Sequence, residues 1–159
     1  METYNLSNNT LTLKVKKSPI FVRAILFFIA FSLFILPIGG AISSIVFGFG
    51  FQVGHFIGIG VFSLIGFYTL RVALWNTYGE ENIQFFENKI IYEANYRWFK
   101  DGKKEALISN PNFYATQAGY EEDNEGVLII ASNEAKIESV VKMKMFQMEE
   151  LIKVLKDKF

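Results

Sequence analysis

The sequence predicts an α+β membrane protein, in which a transmembrane helical hairpin is joined to a small antiparallel β-sheet with a C-terminal amphipathic helix. Three observations predict this fold class. Residues 24–70 contain no charged residue. Segments on both sides of them alternate apolar and polar side chains, as β-strands do. The last residues repeat apolar side chains at helical spacing.

The first predicted element is a short strand in the N-terminal segment, residues 1–19. In TLTLKVK, residues 10–16, Leu11, Leu13 and Val15 alternate with threonine and lysine. A strand with one apolar face needs a partner that buries this face. We therefore expect residues 10–16 to pair with the C-terminal sheet, so that the helical hairpin interrupts one folded domain.

The charge-free segment is too long for a single transmembrane helix. One span takes about 20 residues, whereas 47 residues separate Arg23 from Arg71. Glycines cluster in its middle, in FGFGFQVGH, beside the polar Gln52 and His55, and they allow a reversal of the chain. The prediction is a hairpin over residues 20–75, with spans at Ile20 to Ile42 and Gly54 to Trp75 and a turn that ends at about Val53.

Two other interpretations explain the apolar segment less well. A soluble domain of this length has no core large enough for two helices that are apolar on every face. A cleaved signal peptide fits the basic N-terminal flank and the small residues of GGAISS. Its apolar region is, however, usually 7–15 residues long, and the first apolar segment here is longer.

The distribution of cations predicts the orientation. Lys14, Lys16, Lys17 and Arg23 precede the first span, Arg71 ends the second, and the turn contains no lysine or arginine. The positive-inside rule then places both termini in the cytoplasm, for a multi-pass protein of the cytoplasmic (inner) membrane. The absence of cysteine is consistent with a cytoplasmic domain.

The overall charge of zero conceals two halves of opposite charge. Residues 1–78 carry a net charge of +4, and residues 79–159 carry −4. The basic half suits an anionic lipid leaflet. The acidic half is not typical of a nucleic-acid-binding domain, so the predicted partners are the lipid bilayer and other proteins.

Residues 76–159 are predicted to form the cytoplasmic domain, with about five antiparallel strands. ENIQFFENKIIYEANYRWFKDGKKEALIS contains three of them, joined by tight turns at Glu87–Lys89 and at Asp101–Gly102. NFYATQAGY is a further candidate strand, and EEDNEG is the next turn. GVLIIAS is predicted as a buried strand, and KIESVVKMKM as a half-buried one.

The chain ends in a predicted amphipathic helix, FQMEELIKVLKDKF. Its apolar face consists of Met148, Leu151, Ile152, Leu155 and Phe159. A helix this short is marginally stable alone, so we expect it to pack on the sheet.

This order of elements resembles bacterial two-span membrane proteins with a pleckstrin-homology-like (PH-like) domain. The resemblance covers most of the chain, from the hairpin through YGEENIQFFENKIIYEANYRWFKDGKKEALIS to the terminal helix. It implies a bent sheet or partly open barrel closed at one end by the helix, and a binding or scaffolding role. Lipid-binding members of the family use basic residues of a loop between strands. The nearest match is FKDGKK, which makes Lys100, Lys103 and Lys104 candidate contacts to lipid headgroups.

The sequence offers no constellation typical of catalysis, a metal site or a cofactor site. It has no cysteine and one histidine, too few ligands for a typical zinc site. It contains neither a P-loop nor a dinucleotide-binding glycine motif. EEDNEG lacks the ligand spacing of a calcium loop, and His55 is interpreted as a residue of the interfacial turn. The protein is therefore expected not to be an enzyme.

Small residues recur at four-residue spacing in the hairpin, which lets helices approach closely. They serve either the packing of the two spans on each other or contact with a second copy or a partner membrane protein. These candidate helix-packing residues are Gly40, Ser44, Gly48, Gly54, Gly58 and Gly66.

Two functions are consistent with these features. The first is a membrane-anchored interaction or scaffolding module whose cytoplasmic domain binds a protein segment or a lipid headgroup. The second is a small accessory or immunity-type membrane protein that acts through its hairpin.

Overall fold

The computed structural model describes residues 3–132 and 134–159. It divides into two compact units, one formed by the residues up to Lys16 together with Tyr78–Phe159, and the other by Lys17–Thr77. The first unit contains antiparallel sheets and the C-terminal helix, and the second contains two long apolar helices. The predicted α+β layout is confirmed.

The first unit contains a five-stranded antiparallel sheet in which neighbouring strands follow chain order. Its strands are β1 (Tyr4–Ser7), β2 (Thr10–Lys14), β3 (Glu80–Phe85), β4 (Lys89–Asn95) and β5 (Lys100–Leu107). The turn predicted at Glu87–Lys89 does connect β3 to β4.

Strand β2 confirms that the N-terminal segment joins the C-terminal sheet. Leu11 pairs with Ile83, and Leu13 pairs with Glu81. Both leucines are fully buried, as their alternation with polar residues requires. Strand β1 was not predicted; it forms a hairpin with β2 across a turn in which Asn8 has a φ of 51°.

The turn predicted at Asp101–Gly102 is wrong. The hairpin turn between β4 and β5 occupies residues 96–99, where Arg97 has a φ of 73°, and Asp101–Gly102 lies inside β5. Gly102, with a φ of 64°, and Lys103 together oppose Glu93, which makes a β-bulge. The glycine conformation that favours a two-residue turn also fits the first position of a bulge, so the dipeptide alone does not distinguish the two.

The second sheet of this unit is built around the apolar strand β7. Its strands are β6 (Asn112–Gln117), β7 (Glu125–Ala131), β8 (Lys136–Glu138) and β9 (Met143–Lys144); β7 pairs with the other three. Residues 127–130 are buried, which confirms the buried strand. Residues 121–123 form a short 3-10 helix in the predicted EEDNEG turn.

The segment KIESVVKMKM is not one strand, as predicted, but two. Ile137, Val141 and Met143 are buried, so the expected alternation holds, but residues 139–142 leave the ladder between β8 and β9. Seven strands therefore follow the helical hairpin in the described ranges, where about five were expected.

The C-terminal helix α3 (Met145–Lys158) packs on the second sheet through its predicted face. Met148, Leu151 and Leu155 are fully buried. Ile152 is half-buried. Phe159 remains partly exposed, but its ring stacks on that of Phe85 with centroids 4.3 Å apart.

The long helices are α1 (Ile20–Val46) and α2 (Val53–Tyr78). Both are long and apolar enough to cross a membrane, with mean hydropathies of 2.5 and 1.8 over their most apolar windows. Helix α1 continues past Pro37 and ends four residues beyond the predicted Ile42, so the turn is confined to residues 47–52.

Candidate functional site

Within residues 3–132 and 134–159, Glu81 is the one buried residue among the aspartates, glutamates, lysines, arginines and histidine. It lies in β3 and accepts three hydrogen bonds. The hydroxyl of Tyr92 donates to Oε1 at 2.6 Å, and so does the amide of Val140 at 2.6 Å, while the amide of Val141 donates to Oε2 at 3.2 Å. The carboxyl group thus joins the five-stranded sheet to the segment between β8 and β9.

This contact explains why the strand is interrupted after β8. At Ser139 the side-chain hydroxyl, rather than a backbone carbonyl, accepts the amide of Leu128 at 2.9 Å. The next two amides, of Val140 and Val141, turn away from β7 and meet the Glu81 carboxylate. Buried amides need an acceptor, and here the Glu81 carboxyl group is that acceptor.

Burial also shifts the pKa values of this pair. Desolvation raises the pKa of Glu81, against the opposing effect of its hydrogen bonds from Tyr92, Val140 and Val141. Desolvation and the neighbouring Glu81 raise the pKa of Tyr92 as well. Acids with raised pKa values occur at catalytic sites, but Glu81 is 0% exposed. The hydrogen bonds that this carboxyl group accepts all come from within the first unit.

The three predicted lysines lie in β5 and not in a turn. Lys100 forms an ion pair with Glu93 at 2.8 Å, and Lys103 forms one with Glu105 at 2.9 Å. The pKa of Lys103 is raised through its hydrogen bond to Glu105. Lys104 lies 5.9 Å from the ring centre of Tyr92. Two of the three cations are therefore already paired with carboxylates.

An open pocket of about 360 Å³ lies in the first unit where four separate segments meet. These are the β1–β2 turn, the β3–β4 turn with its flanking residues, the β5–β6 connection and the end of α3. Its lining mixes aromatic and aliphatic side chains with asparagine, glutamate and lysine side chains. The lining residues are Asn9, Phe85, Phe86, Glu87, Ile90, Ile108, Asn110, Pro111, Lys158 and Phe159.

Aromatic packing fixes one wall of this pocket. The ring of Phe85 stacks on Phe159 and meets the buried Phe113 edge-on, with 6.0 Å between the Phe85 and Phe113 centroids. Lys158 donates a hydrogen bond to the carbonyl of Asn8. The ring of Phe86 is 49% exposed at the mouth. Sequence reasoning missed the pocket because its residues come from four distant segments.

The six candidate helix-packing residues have different surroundings in the second unit. A side chain at Gly66 would lie 3.1 Å from Phe34, so this glycine allows close contact with α1. Around Gly40, Gly54 and Gly58 there is open space. Gly48 and Ser44 take part in the turn: Gly48 has a φ of 84°, and the Ser44 hydroxyl donates to the carbonyl of Gly50 at 2.9 Å.

In the parts of the chain that the structure describes, no three His, Cys, Asp or Glu side chains are grouped so that they could hold a metal ion. The structure provides a buried, hydrogen-bonded carboxyl group, an open pocket and two long apolar helices. Comparison with protein-family models, with curated proteins and with solved structures found no match to this chain.

Proposed function

We propose that the protein is a membrane-anchored interaction module without catalytic activity. In this proposal α1 and α2 anchor it in the cytoplasmic membrane, and the first unit, on the cytoplasmic side, binds a segment of another protein. The observation that carries the proposal is the pairing of β2, which precedes α1, with β3, which follows α2.

This pairing supports an even number of membrane crossings. Leu13 and Glu81 are partners in adjacent strands, so the two ends of the hairpin belong to one folded unit. A folded sheet cannot be divided between two sides of a bilayer, and two spans satisfy this condition. The cations Lys14, Arg23 and Arg71 then favour the cytoplasm as the side of the folded unit.

The surfaces of the long helices support burial in lipid. Side chains such as Phe28, Leu36 and Leu64 are largely exposed, and only 11% and 17% of the most apolar windows of the two helices are buried. Apolar surface of this extent is unfavourable in water and suits hydrocarbon on all sides.

The first unit has features expected of a PH-like fold, which is part of the proposal. It contains two antiparallel sheets, and the terminal helix packs on the second through Met148, Leu151 and Leu155. A partly open barrel of this kind leaves a pocket at an open end. The pocket between Asn9 and Phe159 is a candidate for such an opening.

Two surfaces are candidates for binding: the pocket, for a protein segment, and the lysines of β5, for a lipid headgroup. The pocket is the better candidate. The pocket combines aromatic and aliphatic side chains with polar groups, and its volume lies near the lower limit for binding sites. One large apolar side chain of a partner would suit it. On β5, Lys100 and Lys103 are paired with Glu93 and Glu105, and a phosphate would have to displace these carboxylates.

Orientation is tested with single cysteines, because the natural chain has none. Cysteine at Lys103 or at Glu122 should react with a membrane-impermeant maleimide in inverted vesicles and not in intact cells. Reaction in intact cells would contradict the cytoplasmic placement. Release of the protein from membranes by alkaline carbonate would contradict the anchoring itself.

Partner binding is tested by photo-crosslinking in the native cell. A benzophenone amino acid replaces Phe86 at the mouth of the pocket. The matched control carries it at Phe146, which is exposed on α3 and outside the pocket lining. A discrete protein adduct at position 86 and none at position 146 supports the proposal. No adduct at position 86, or the same adduct at both positions, contradicts it.

A specific observation favours the second candidate, action through the hairpin. The open space at Gly40, Gly54 and Gly58 would admit another helix, from a second copy or from a partner membrane protein. If the protein acts through its hairpin, Gly58→Leu should abolish its activity in the cell. If it acts as an interaction module through the pocket, the same substitution should leave crosslinking at Phe86 unchanged.

A further inference from the structure

The turn between α1 and α2 presents aromatic side chains to its surroundings. Phe47, Phe49 and Phe51 are 74%, 72% and 55% exposed. The charge-free region, residues 24–70, extends through the turn on both sides. A turn that meets water is normally built from polar residues, so this composition indicates an apolar environment.

The turn also satisfies much of its own backbone at the end of α1. Gly48, with a φ of 84°, donates its amide to Ile45 at 3.0 Å, and Phe49 donates its amide to Ser44 at 2.9 Å. This pair of bonds is a Schellman motif. The hydroxyl of Ser44 donates to the carbonyl of Gly50 at 2.9 Å.

The start of α2 is capped from within the chain as well. The amide of Gln52 donates to Nδ1 of His55 at 3.0 Å, and the amide of His55 donates to the carbonyl of Gln52 at 3.0 Å. A reciprocal pair at this spacing resembles a capping box. The His55 ring lies 5.7 Å from that of Phe51. Internal hydrogen bonding of this kind is required where water is scarce.

The helix lengths place the turn at the far edge of a bilayer core. Helix α2 rises about 27 Å from Arg71 to Val53, and α1 rises about 35 Å from Arg23 to Val46, at about 1.5 Å per residue. The hydrocarbon core is about 30 Å thick. With the arginines near one headgroup layer, the turn reaches the other boundary with little length to spare.

We propose that Phe47, Phe49 and Phe51 form an aromatic anchor that inserts among the phospholipid acyl chains of the far leaflet. The chain then reverses inside the membrane boundary instead of in the aqueous phase. Gln52 and His55, the polar residues of the turn, lie at the headgroup level. The inference rests on the proposed membrane anchoring, and the experiment separates the two.

The test uses the full chain in vesicles of phosphatidylcholine and phosphatidylglycerol, with one nitroxide-labelled cysteine per variant. The labelled positions are Phe49 in the turn, Ile35 on an exposed part of α1 and Lys103 on β5. Collisions with oxygen, which partitions into lipid, are compared with collisions with a water-soluble nickel chelate. A label at Phe47 gives a second reading of the turn if the Phe49 variant folds poorly.

We expect an oxygen-to-nickel collision ratio several-fold higher at Phe49 and Phe47 than at Lys103, and lower than at Ile35, which lies nearer the centre of the bilayer. A ratio in the turn equal to that at Lys103, with Ile35 still protected from nickel, overturns the aromatic anchor and leaves the membrane anchoring intact. Nickel access at Ile35 as well overturns both.

Discussion

The hydroxyl group of Tyr92 on β4 donates a hydrogen bond to the carboxyl group of Glu81 on β3 at 2.6 Å, and both side chains are buried. The same carboxyl group accepts hydrogen bonds from the amides of Val140 and Val141, in the segment that connects β8 and β9 of the second sheet. One acidic side chain thus fixes how the two sheets of this unit meet, and its removal should affect the whole unit.

Glu81→Ala should lower the free energy of unfolding by about 2–5 kcal/mol, because it leaves two buried amides and a tyrosine hydroxyl without their acceptor. Tyr92→Phe should cost less, about 1–2 kcal/mol, since it removes one of the three bonds. Urea unfolding of the full chain in detergent, followed by near-ultraviolet circular dichroism, measures both. Glu105→Ala on the exposed strand β5 is the control, and equal midpoints for the two alanine variants would contradict the role of Glu81.

The raised pKa of Glu81 predicts the direction of a pH effect on stability. The folded unit retains this proton above the ordinary value of 4.5, so between that value and the raised pKa the folded state binds more protons than the unfolded state. The contribution of Glu81 is therefore fully present below pH 4.5 and decreases as the pH rises through the raised pKa.

Glu81→Gln removes this titration at nearly constant shape. As the pH is raised from 4 to 8, the unfolding free energy of the natural chain should fall relative to that of the Gln variant. Urea midpoints at several pH values measure it. The opposite trend would mean that Tyr92 and the two amides stabilise the ionised carboxylate more than burial disfavours it.

The packing of α3 predicts strong effects of leucine truncation. Leu151→Ala or Leu155→Ala should cost about 2–5 kcal/mol, because each removes a fully buried side chain from a packed interface. Lys156→Ala, on the exposed face, should change little. The three urea midpoints are compared in the full chain, since a fragment that starts at residue 79 would lack β2. Equal midpoints would refute the docked helix.

Leu13→Asp tests the contribution of the N-terminal strand. Leu13 is fully buried opposite Glu81, so the substitution places two carboxyl groups next to each other in the core and should cost several kcal/mol. Asn5→Asp, on an exposed position of β1, is the matched control. Limited proteolysis in membrane vesicles should cleave the Leu13 variant much faster than the control. Similar rates for both would mean that β2 contributes little.

The amino-acid pattern alone determined those helices and strands that depend only on residues close together in the sequence. Two long helices follow from a charge-free run that is too long for one span. β2 and the buried face of α3 follow from periodicities of two and 3.6 residues, and β7 follows from its short apolar run. The position of Glu81 also carried a signal, because it alternates in register with Ile83 and Phe85, which face the core. That signal was overlooked because glutamate is rarely buried without a partner, and the partners lie far along the chain.

Tertiary structure decided the features that depend on a second segment. Gly102 became part of a bulge with Lys103, and not part of a turn, because the register of β4 against β5 has an extra residue there. In the segment after β8, the acceptor of two backbone amides is the carboxyl group of a residue on β3. The pocket exists because residues near positions 9, 86, 109 and 158 meet. A short segment can often adopt several backbone conformations. The one it adopts depends on which distant residues form hydrogen bonds with its backbone amides and carbonyls. A local sequence pattern does not contain those distant residues.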